Sequence, residues 1–324
     1  MFDHDHFLGL ESFPKDDIQK IIDTSFNFKE VLGRSIKKVP SLQGVTIVNL
    51  FFENSTRTRI SFELAQKRLS ADTVNFSAST SSLKKGESFK DTAQNIEAMK
   101  IDAVVMRHPS PGAPYQLKEF IDAKIINAGD GTHEHPTQAI LDMMSIQEKF
   151  GKIKGLNIAI IGDIYHSRVA RSNIYGLVTM GANVTVCGPS NLIPQEISEL
   201  GVNINYNIDE VVEWADAVNV LRIQRERMGV GLIPSNREYR QLFGITNERM
   251  LRRDNELVIM HPGPMNRGVE IDSEVADSDQ AIILDQVLNG VASRMSILYL
   301  LLGAKDGRGN EDWKTKWEIN LKES

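Results

Sequence analysis

One cysteine in 324 residues, Cys187, excludes any internal disulfide. It stands in the apolar run 184–187 and reads as a buried structural thiol rather than a nucleophile. Aromatic residues are scarce at 7%, so the core has to be aliphatic. No stretch approaches the roughly 18 apolar residues of a membrane span. The first residues, Met1 to His6, carry neither a basic start nor an apolar run. No signal peptide is therefore expected, and a cytoplasmic location is. Positive charge is also in deficit: 37 Lys and Arg against 43 Asp and Glu leave a net charge of −6. That argues against a broad nucleic-acid face. An anionic ligand then needs a local cluster of Arg and Lys inside an acidic shell.

What is present is a globular composition, 41% hydrophobic and 25% charged, with a length that points to two domains. Short apolar runs at 45–52, 73–76, 103–106 and 124–127 read as buried strands, and 61–70 and 87–100 as helices. In the second helix Phe89, Ala93, Ile96 and Met99 follow helical spacing. The pattern pauses at the Gly/Lys-rich stretch 149–155. It restarts with strands at 156–161, 183–186, 217–220, 257–260 and 281–284. Strand–helix alternation implies an α/β chain, each domain a parallel sheet flanked by helices. The domains are expected at 1–150 and 151–284. A last helix, about 285–305, has apolar residues at 287, 288, 291, 295, 298, 301 and 302. That stripe is wide enough to pack back on the first domain. Residues 306–324 read as a polar surface tail.

In parallel α/β sheets, ligands bind in loops beyond the carboxyl ends of strands. The first strand leads through Glu53 and Asn54 into Ser55-Thr56-Arg57-Thr58-Arg59, which opens a helix. Three hydroxyls and two guanidiniums stand where free backbone N–H groups and the helix dipole already favour an anion. A helix cap on Asn54 or Ser55 explains one or two of these residues, not five. The second strand leads to a polar loop, 79–88, with Ser82, Lys84, Lys85 and Gly86. The third ends at Arg107-His108-Pro109, and the fourth runs into His133-Glu134-His135-Pro136-Thr137-Gln138. His133 and His135 lack a third ligand, so no metal is expected. In the second half, Gly162 to Arg168 follows a strand and opens a helix, but the G-x-G-x-x-G spacing is absent and a nicotinamide cofactor is not expected. Two further strands are followed by Arg222, Gln224, Arg225 and Arg227, and by His261-Pro262-Gly263-Pro264-Met265-Asn266-Arg267-Gly268. Strand after strand ends in Arg, His or Gln, which solvated faces alone do not produce.

At these residues the chain resembles the aspartate carbamoyltransferases over about residues 5–305. The segments 55–59 and 135–138 are those of carbamoyltransferases generally, and 261–268 points to the aspartate branch, the ornithine branch normally carrying His-Cys-Leu-Pro there. The resemblance implies carbamoyl transfer from carbamoyl phosphate to L-aspartate in pyrimidine synthesis. It also implies a homotrimer with active sites shared between subunits, no cofactor, and association in some relatives with dihydroorotase or regulatory chains. Carried over by motif, Ser55, Thr56, Arg57 and Thr58 hold the phosphate, and Arg107, His135 and Gln138 the carbamoyl end. The backbone of Gly263 and Pro264 lies beside the reacting amine, with the bond between them expected to be cis. Arg168, Arg222 and Gln224 receive the carboxylates of aspartate. Lys85, with Ser82 or Ser81 as companion, reaches a neighbouring subunit's site. Glu53, Arg168 and Arg227 hold the closed state.

The implied chemistry fits these residue types. An activated donor needs no protein nucleophile or metal; it needs two anions placed side by side and charge stabilised as it develops. At about 5 Å and an effective dielectric of about 20, each pair of like unit charges costs about 3 kcal/mol, so several cations are obligatory. Thr58, Arg107 and His135 are expected to form the oxyanion site, with His135 as a general base the other reading. The rivals are a carbamoyltransferase for another amino acid such as ornithine, a non-catalytic anion-binding assembly subunit, and a nucleotide-dependent oxidoreductase.

Overall fold

The computed structural model describes residues 2–77, 88–223, 232–233, 235–253 and 256–303. It divides into two compact units. The first holds the chain up to Gly9, Gln19–Gly131 and the chain from Asn289; the second holds Leu10–Ile18 and Thr132–Leu288.

The first unit runs from Gln19 in α1 (Lys15–Leu32) through β1 (Thr46–Phe51), α2 (Thr56–Arg68), β2 (Asp72–Ser77), α3 (Phe89–Glu97), β3 (Ala103–His108), α4 (Ala113–Lys118) and β4 (Lys124–Asp130). The four strands are parallel in the order β2-β1-β3-β4. The direction of winding reverses between β1 and β3, so the loops after these two strands open side by side, the usual ligand position in such sheets. Val48, Leu50, Val104, Met106 and Ile125 pack with Ala93 and Ile96 of α3 and Leu117 of α4. The segment before α1 extends the sheet: Phe7 bridges Ile126, its N–H donating to the Ile125 carbonyl at 2.8 Å. At the end of β4, Gly131 has φ +50°, and a Cβ there would lie 2.4 Å from the Pro111 ring.

The second unit contains α5 (Pro136–Phe150), β5 (Asn157–Ile161), α6 (Arg168–Met180), β6 (Asn183–Cys187), β7 (Asn203–Ile204), α7 (Ile208–Trp214), β8 (Ala217–Val220), α8 (Asn236–Phe243), α9 (Asn247–Leu251), β9 (Val258–Met260) and α10 (Ser273–Ala276). Its strands are also parallel, in the order β7-β6-β5-β8-β9, and the winding reverses between β5 and β8. Ser167, Asn207, Ser235 and Thr246 each accept a backbone N–H and cap α6, α7, α8 and α9. Cys187 is buried at the end of β6, and burial pushes its thiol up to about 12.

The last helix, α11 (Ile283–Leu302), packs on the first unit as expected. Ser296 Oγ donates to the Ile21 carbonyl at 2.8 Å, and Tyr299 meets Phe28 edge-on at 5.6 Å. Arg294 donates to Ser61 Oγ at 3.0 Å and lies over the Phe62 ring.

Two expectations need correction. Residues 281–284 are not a strand: Ala281 makes a single bridge to Ile259, and Ile283 already opens α11, with Asp285 in its first turn. The packing stripe on that helix begins later than expected, because Val287 and Leu288 are exposed and the buried run starts near Asn289. Helix α2 opens at Thr56 with Ser55 at its N-cap position, so the hydroxyl and guanidinium residues form its first turn as expected. Among the described residues no helix is long and apolar enough to cross a membrane. The polar tail expected at 306–324 lies outside the described residues.

Candidate active site

In the first unit the site is built on the carboxyl ends of β1 and β3. Ser55 stands at the N-cap position of α2 but its side chain makes no capping bond, and Thr56, Arg57 and Thr58 follow in the first turn. The first-turn N–H groups have no intrahelical acceptor, and the helix dipole adds positive potential there. Thr56 and Arg57 are exposed, while Thr58 is buried. A cavity of about 230 Å³ opens at this point, lined by Phe51 to Thr56 and by Arg59.

Arg107 is the next-to-last residue of β3, in register with Phe51 of β1. Its guanidinium is held on two sides. Nε donates to Glu53 Oε1 at 2.7 Å; Nη1 donates to the Ala128 carbonyl at 3.1 Å and to Thr58 Oγ1 at 3.4 Å. The structure thus brings Glu53, Thr58 and Arg107 together. The Glu53–Arg107 pair has no local sequence signal, because the two positions lie far apart in the chain and meet only through the pairing of β1 with β3. Beside Arg107, His108 packs edge-on against Phe52 at 4.8 Å, and its Nδ1 accepts the Ser110 N–H at 2.9 Å. Burial lowers its pKa, and an accepting Nδ1 makes it the neutral Nε2–H tautomer.

In the second unit His135 holds the N-cap position of α5, with Pro136 at the first helical position. Proline there costs no hydrogen bond and presets the helical φ. His135 is buried, and its Nδ1 lies 3.4 Å from Thr137 Oγ1. Its backbone N–H donates to Ser172 Oγ at 2.8 Å, and that hydroxyl donates on to Glu134 Oε2 at 2.8 Å. Glu134 is fully buried and also accepts the N–H groups of Leu10 and Glu11. Burial raises its pKa and those donors pull it back. Glu134 is therefore part of the scaffold that fixes the His135 backbone. Gln138 donates through Nε2 to Asp142 Oδ1 at 2.9 Å.

The loops after β5, β8 and β9 carry the remaining residues. Asp163, fully buried, accepts from the His166 backbone N–H at 3.1 Å and pairs with its Nδ1 at 3.0 Å. This folds the loop into α6, whose first residue, Arg168, is buried. Arg222 follows β8, the strand next to β5. Beyond β9 the Gly263-Pro264 peptide is cis. His261 Nδ1 accepts the Gly263 N–H at 2.7 Å, which leaves Nε2–H to donate to the buried Glu270 at 3.2 Å. The Asn266 N–H donates to the same Glu270 oxygen at 2.6 Å, so one carboxylate sets both sides of the turn. Ser82, Lys85, Gln224 and Arg227 lie outside the described residues. Among the described residues no three His, Cys, Asp or Glu side chains converge as a metal ion would require.

Residues 5–148 match the family profile described as aspartate/ornithine carbamoyltransferase, carbamoyl-P binding domain. Residues 154–301 match the one described as aspartate/ornithine carbamoyltransferase, Asp/Orn binding domain. The aspartate carbamoyltransferase catalytic subunit of Cytophaga hutchinsonii is 59% identical over 300 residues, 93% of this chain and 98% of that protein. That of Christiangramia forsetii is 59% identical over 297 residues, 92% and 96% of the two chains. Among solved structures, aspartate transcarbamoylase from Trypanosoma cruzi in complex with N-(phosphonacetyl)-L-aspartic acid is similar with a TM-score of 0.83 and 32% identity, covering 92% of this chain and 95% of that one. Ornithine carbamoyltransferase from Pyrococcus furiosus has a TM-score of 0.81 at 26% identity, covering 92% and 97%.

Proposed function

The chain belongs to the aspartate/ornithine carbamoyltransferase family, and from that premise we propose how its residues carry the reaction. The chain is an enzyme that transfers the carbamoyl group of carbamoyl phosphate to the amine of L-aspartate, giving N-carbamoyl-L-aspartate and phosphate, a step of de novo pyrimidine biosynthesis. The observation that carries the site assignment is the uncapped first turn of α2 with Arg107 bound to Thr58 beside it. The phosphate of the donor sits on Ser55, Thr56, Arg57 and Thr58. Arg107, His135 and Gln138 hold the carbamoyl end, with the backbone of Gly263 and Pro264. Arg168, Arg222 and Gln224 take the two carboxylates of aspartate.

The neutral amine attacks the carbamoyl carbon, forming the C–N bond. The C–O bond to phosphate then breaks, and the departing phosphate accepts the amine proton. No protein nucleophile takes part. Thr58, Arg107 and His135 stabilise the oxyanion, and Arg57 neutralises the leaving group. Arginine suits these places because its planar fork binds two oxygens at once. Glu53 stays off the substrate; with Arg168 and Arg227 it holds the closed state. Carbamoyl phosphate is assigned to residues 1–150 with the helix at 285–305, and aspartate to 151–284.

We assign the enzyme to the cytoplasm, as a homotrimer in which Lys85 and Ser82 of one subunit complete a neighbour's site. Two experiments test this reading. Phosphate release from carbamoyl phosphate by the purified protein should depend on L-aspartate and not on L-ornithine or its acyl derivatives; ornithine-dependent release would refute it. Mixing inactive Arg57→Ala with inactive Lys85→Ala subunits should restore part of the activity. No recovery after verified subunit exchange would show that the sites are not shared.

A further inference from the structure

Asp142 lies one turn beyond Gln138 on α5, fully buried, and four side-chain amides converge on it. Gln138 Nε2 and Gln286 Nε2 donate to Oδ1 at 2.9 and 2.8 Å. Asn173 Nδ2 and Asn219 Nδ2 donate to Oδ2 at 2.8 and 3.1 Å. Each oxygen takes two donors, which fills the acceptor positions of an ionised carboxylate. Burial holds the pKa of this carboxyl above its ordinary value, and the four donors offset part of that. A proton on it would stand where one of the donors stands, so the geometry is that of the carboxylate. An acceptor-only group surrounded in this way dictates the orientation of every amide that touches it: NH2 inward, carbonyl oxygen outward.

Two features show the strength of this constraint. Gln286 gives its NH2 to Asp142 and offers Oε1 to the His261 N–H at 3.0 Å, so one amide faces a donor because the other end faces the carboxylate. Asn173 and Asn219 keep the same orientation although Oδ1 of each is buried with no hydrogen-bond partner among the described residues. A buried unsatisfied carbonyl is costly, and the carboxylate outweighs it. Gln138 completes the set, and the end of its amide turned away from Asp142 is the acceptor Oε1.

We propose that Asp142 is a positioning residue for donor selection: by orienting the Gln138 amide it makes the site present an oxygen, which favours a phosphorylated donor whose acyl group carries N–H. This rests on the assignment of Gln138 to the carbamoyl end. The NH2 of carbamoyl phosphate donates to Gln138 Oε1. The methyl of acetyl phosphate cannot, and inorganic phosphate has no acyl group to offer.

Asp142→Leu keeps the branched shape and removes both acceptor oxygens, so nothing holds the Gln138 NH2 inward; burying it unpaired is costly, and the amide turns that end toward the site. Binding of carbamoyl phosphate, acetyl phosphate and inorganic phosphate is measured on the same preparation. Carbamoyl phosphate affinity should fall about tenfold or more. Inorganic phosphate should stay within about twofold, because α2 supplies its contacts. The preference for carbamoyl over acetyl phosphate should collapse, a change that general loss of structure does not produce. A wild-type preference in Asp142→Leu overturns the inference. Gln138→Leu tests the underlying assignment separately: if it keeps the preference, Gln138 does not hold the carbamoyl group. If it loses the preference while Asp142→Leu keeps it, only the role of Asp142 fails. Should Asp142→Leu not fold, neutron diffraction from crystals of the native enzyme reads the amide directly. Deuterium on the Asp142 side of Gln138 supports the proposal, and oxygen on that side overturns it.

Discussion

Replacing Arg107 with lysine keeps the positive charge and removes the fork, which makes it a test of geometry rather than of net electrostatics. In the native structure the guanidinium gives Nε to Glu53 at 2.7 Å and Nη1 to the Ala128 carbonyl at 3.1 Å, with Thr58 at 3.4 Å. These contacts aim the remaining edge of a planar group. A lysine ammonium is a single point on a flexible stem. It can satisfy Glu53 or the Ala128 carbonyl, but not both while also meeting a substrate oxygen. Loss of two charge-assisted hydrogen bonds at about 1.5–3 kcal/mol each gives about 3–6 kcal/mol. That corresponds to a fall of about 10²–10⁴ in kcat/KM. Steady-state phosphate release with L-aspartate, on protein with an unchanged melting temperature, reads the effect. An Arg107→Lys enzyme within about fivefold of wild type would show that the fork is not used, since even one lost charge-assisted bond exceeds that.

Glu53→Gln retains the shape of the acceptor and removes its charge, so it should cost about tenfold in kcat/KM by loosening Arg107, with carbamoyl phosphate saturation restoring little of it. Arg57→Ala should lower turnover by about a hundredfold or more, because the leaving phosphate is no longer neutralised; near-normal turnover in a folded variant would remove Arg57 from the site. A Cβ on Gly188 would lie 2.3 Å from the Gly162 carbonyl oxygen, a backbone atom that cannot step aside. Gly188→Ala should therefore shift the loop that leads to Arg168 and raise KM for aspartate more than for carbamoyl phosphate, which separate titrations will check. Asp272 is held below its ordinary 3.8 chiefly by the hydrogen bonds of Arg240, so this pair stabilises the fold above pH of about 4 and the contribution is lost as pH falls through the lower folded value. Arg240 is 39% exposed, so the contribution is about 1 kcal/mol or less after screening. Arg240→Gln should be slightly less stable at neutral pH, with a flatter acid limb below pH of about 4 in denaturant titrations at fixed pH; an unchanged acid limb would show that the pair is not coupled to folding.

Much of the fold was legible because its signals are local. Apolar runs at 103–106 and 217–220 are short, β-branched and bounded by polar turns, and they became β3 and β8. The 281–284 run misled because its composition suits a buried strand or a helix start equally. What decided it was the single bridge of Ala281 to Ile259 followed by the acidic first turn of α11. Val287 and Leu288 misled for a similar reason: apolar spacing predicts a stripe, but only packing partners decide where burial begins.

The sequence by itself determined which residue types stand at each strand end, and so the hydroxyl- and guanidinium-bearing first turn of α2 and the identity of Arg107, His135, Gln138, Arg168 and Arg222. Side-chain chemistry and helix-end electrostatics are properties of a short stretch of chain, and they need no long-range contact. Only the tertiary structure decided what those groups are held by. Glu53 meets Arg107 because β1 and β3 are neighbours at the point where the winding of the sheet reverses. Asp142 gathers Gln138, Asn173, Asn219 and Gln286 because two helices, a strand end and the start of α11 converge on one buried carboxylate. A buried charge must find its donors wherever the chain brings them, and that requirement acts across distances in sequence that no local pattern records.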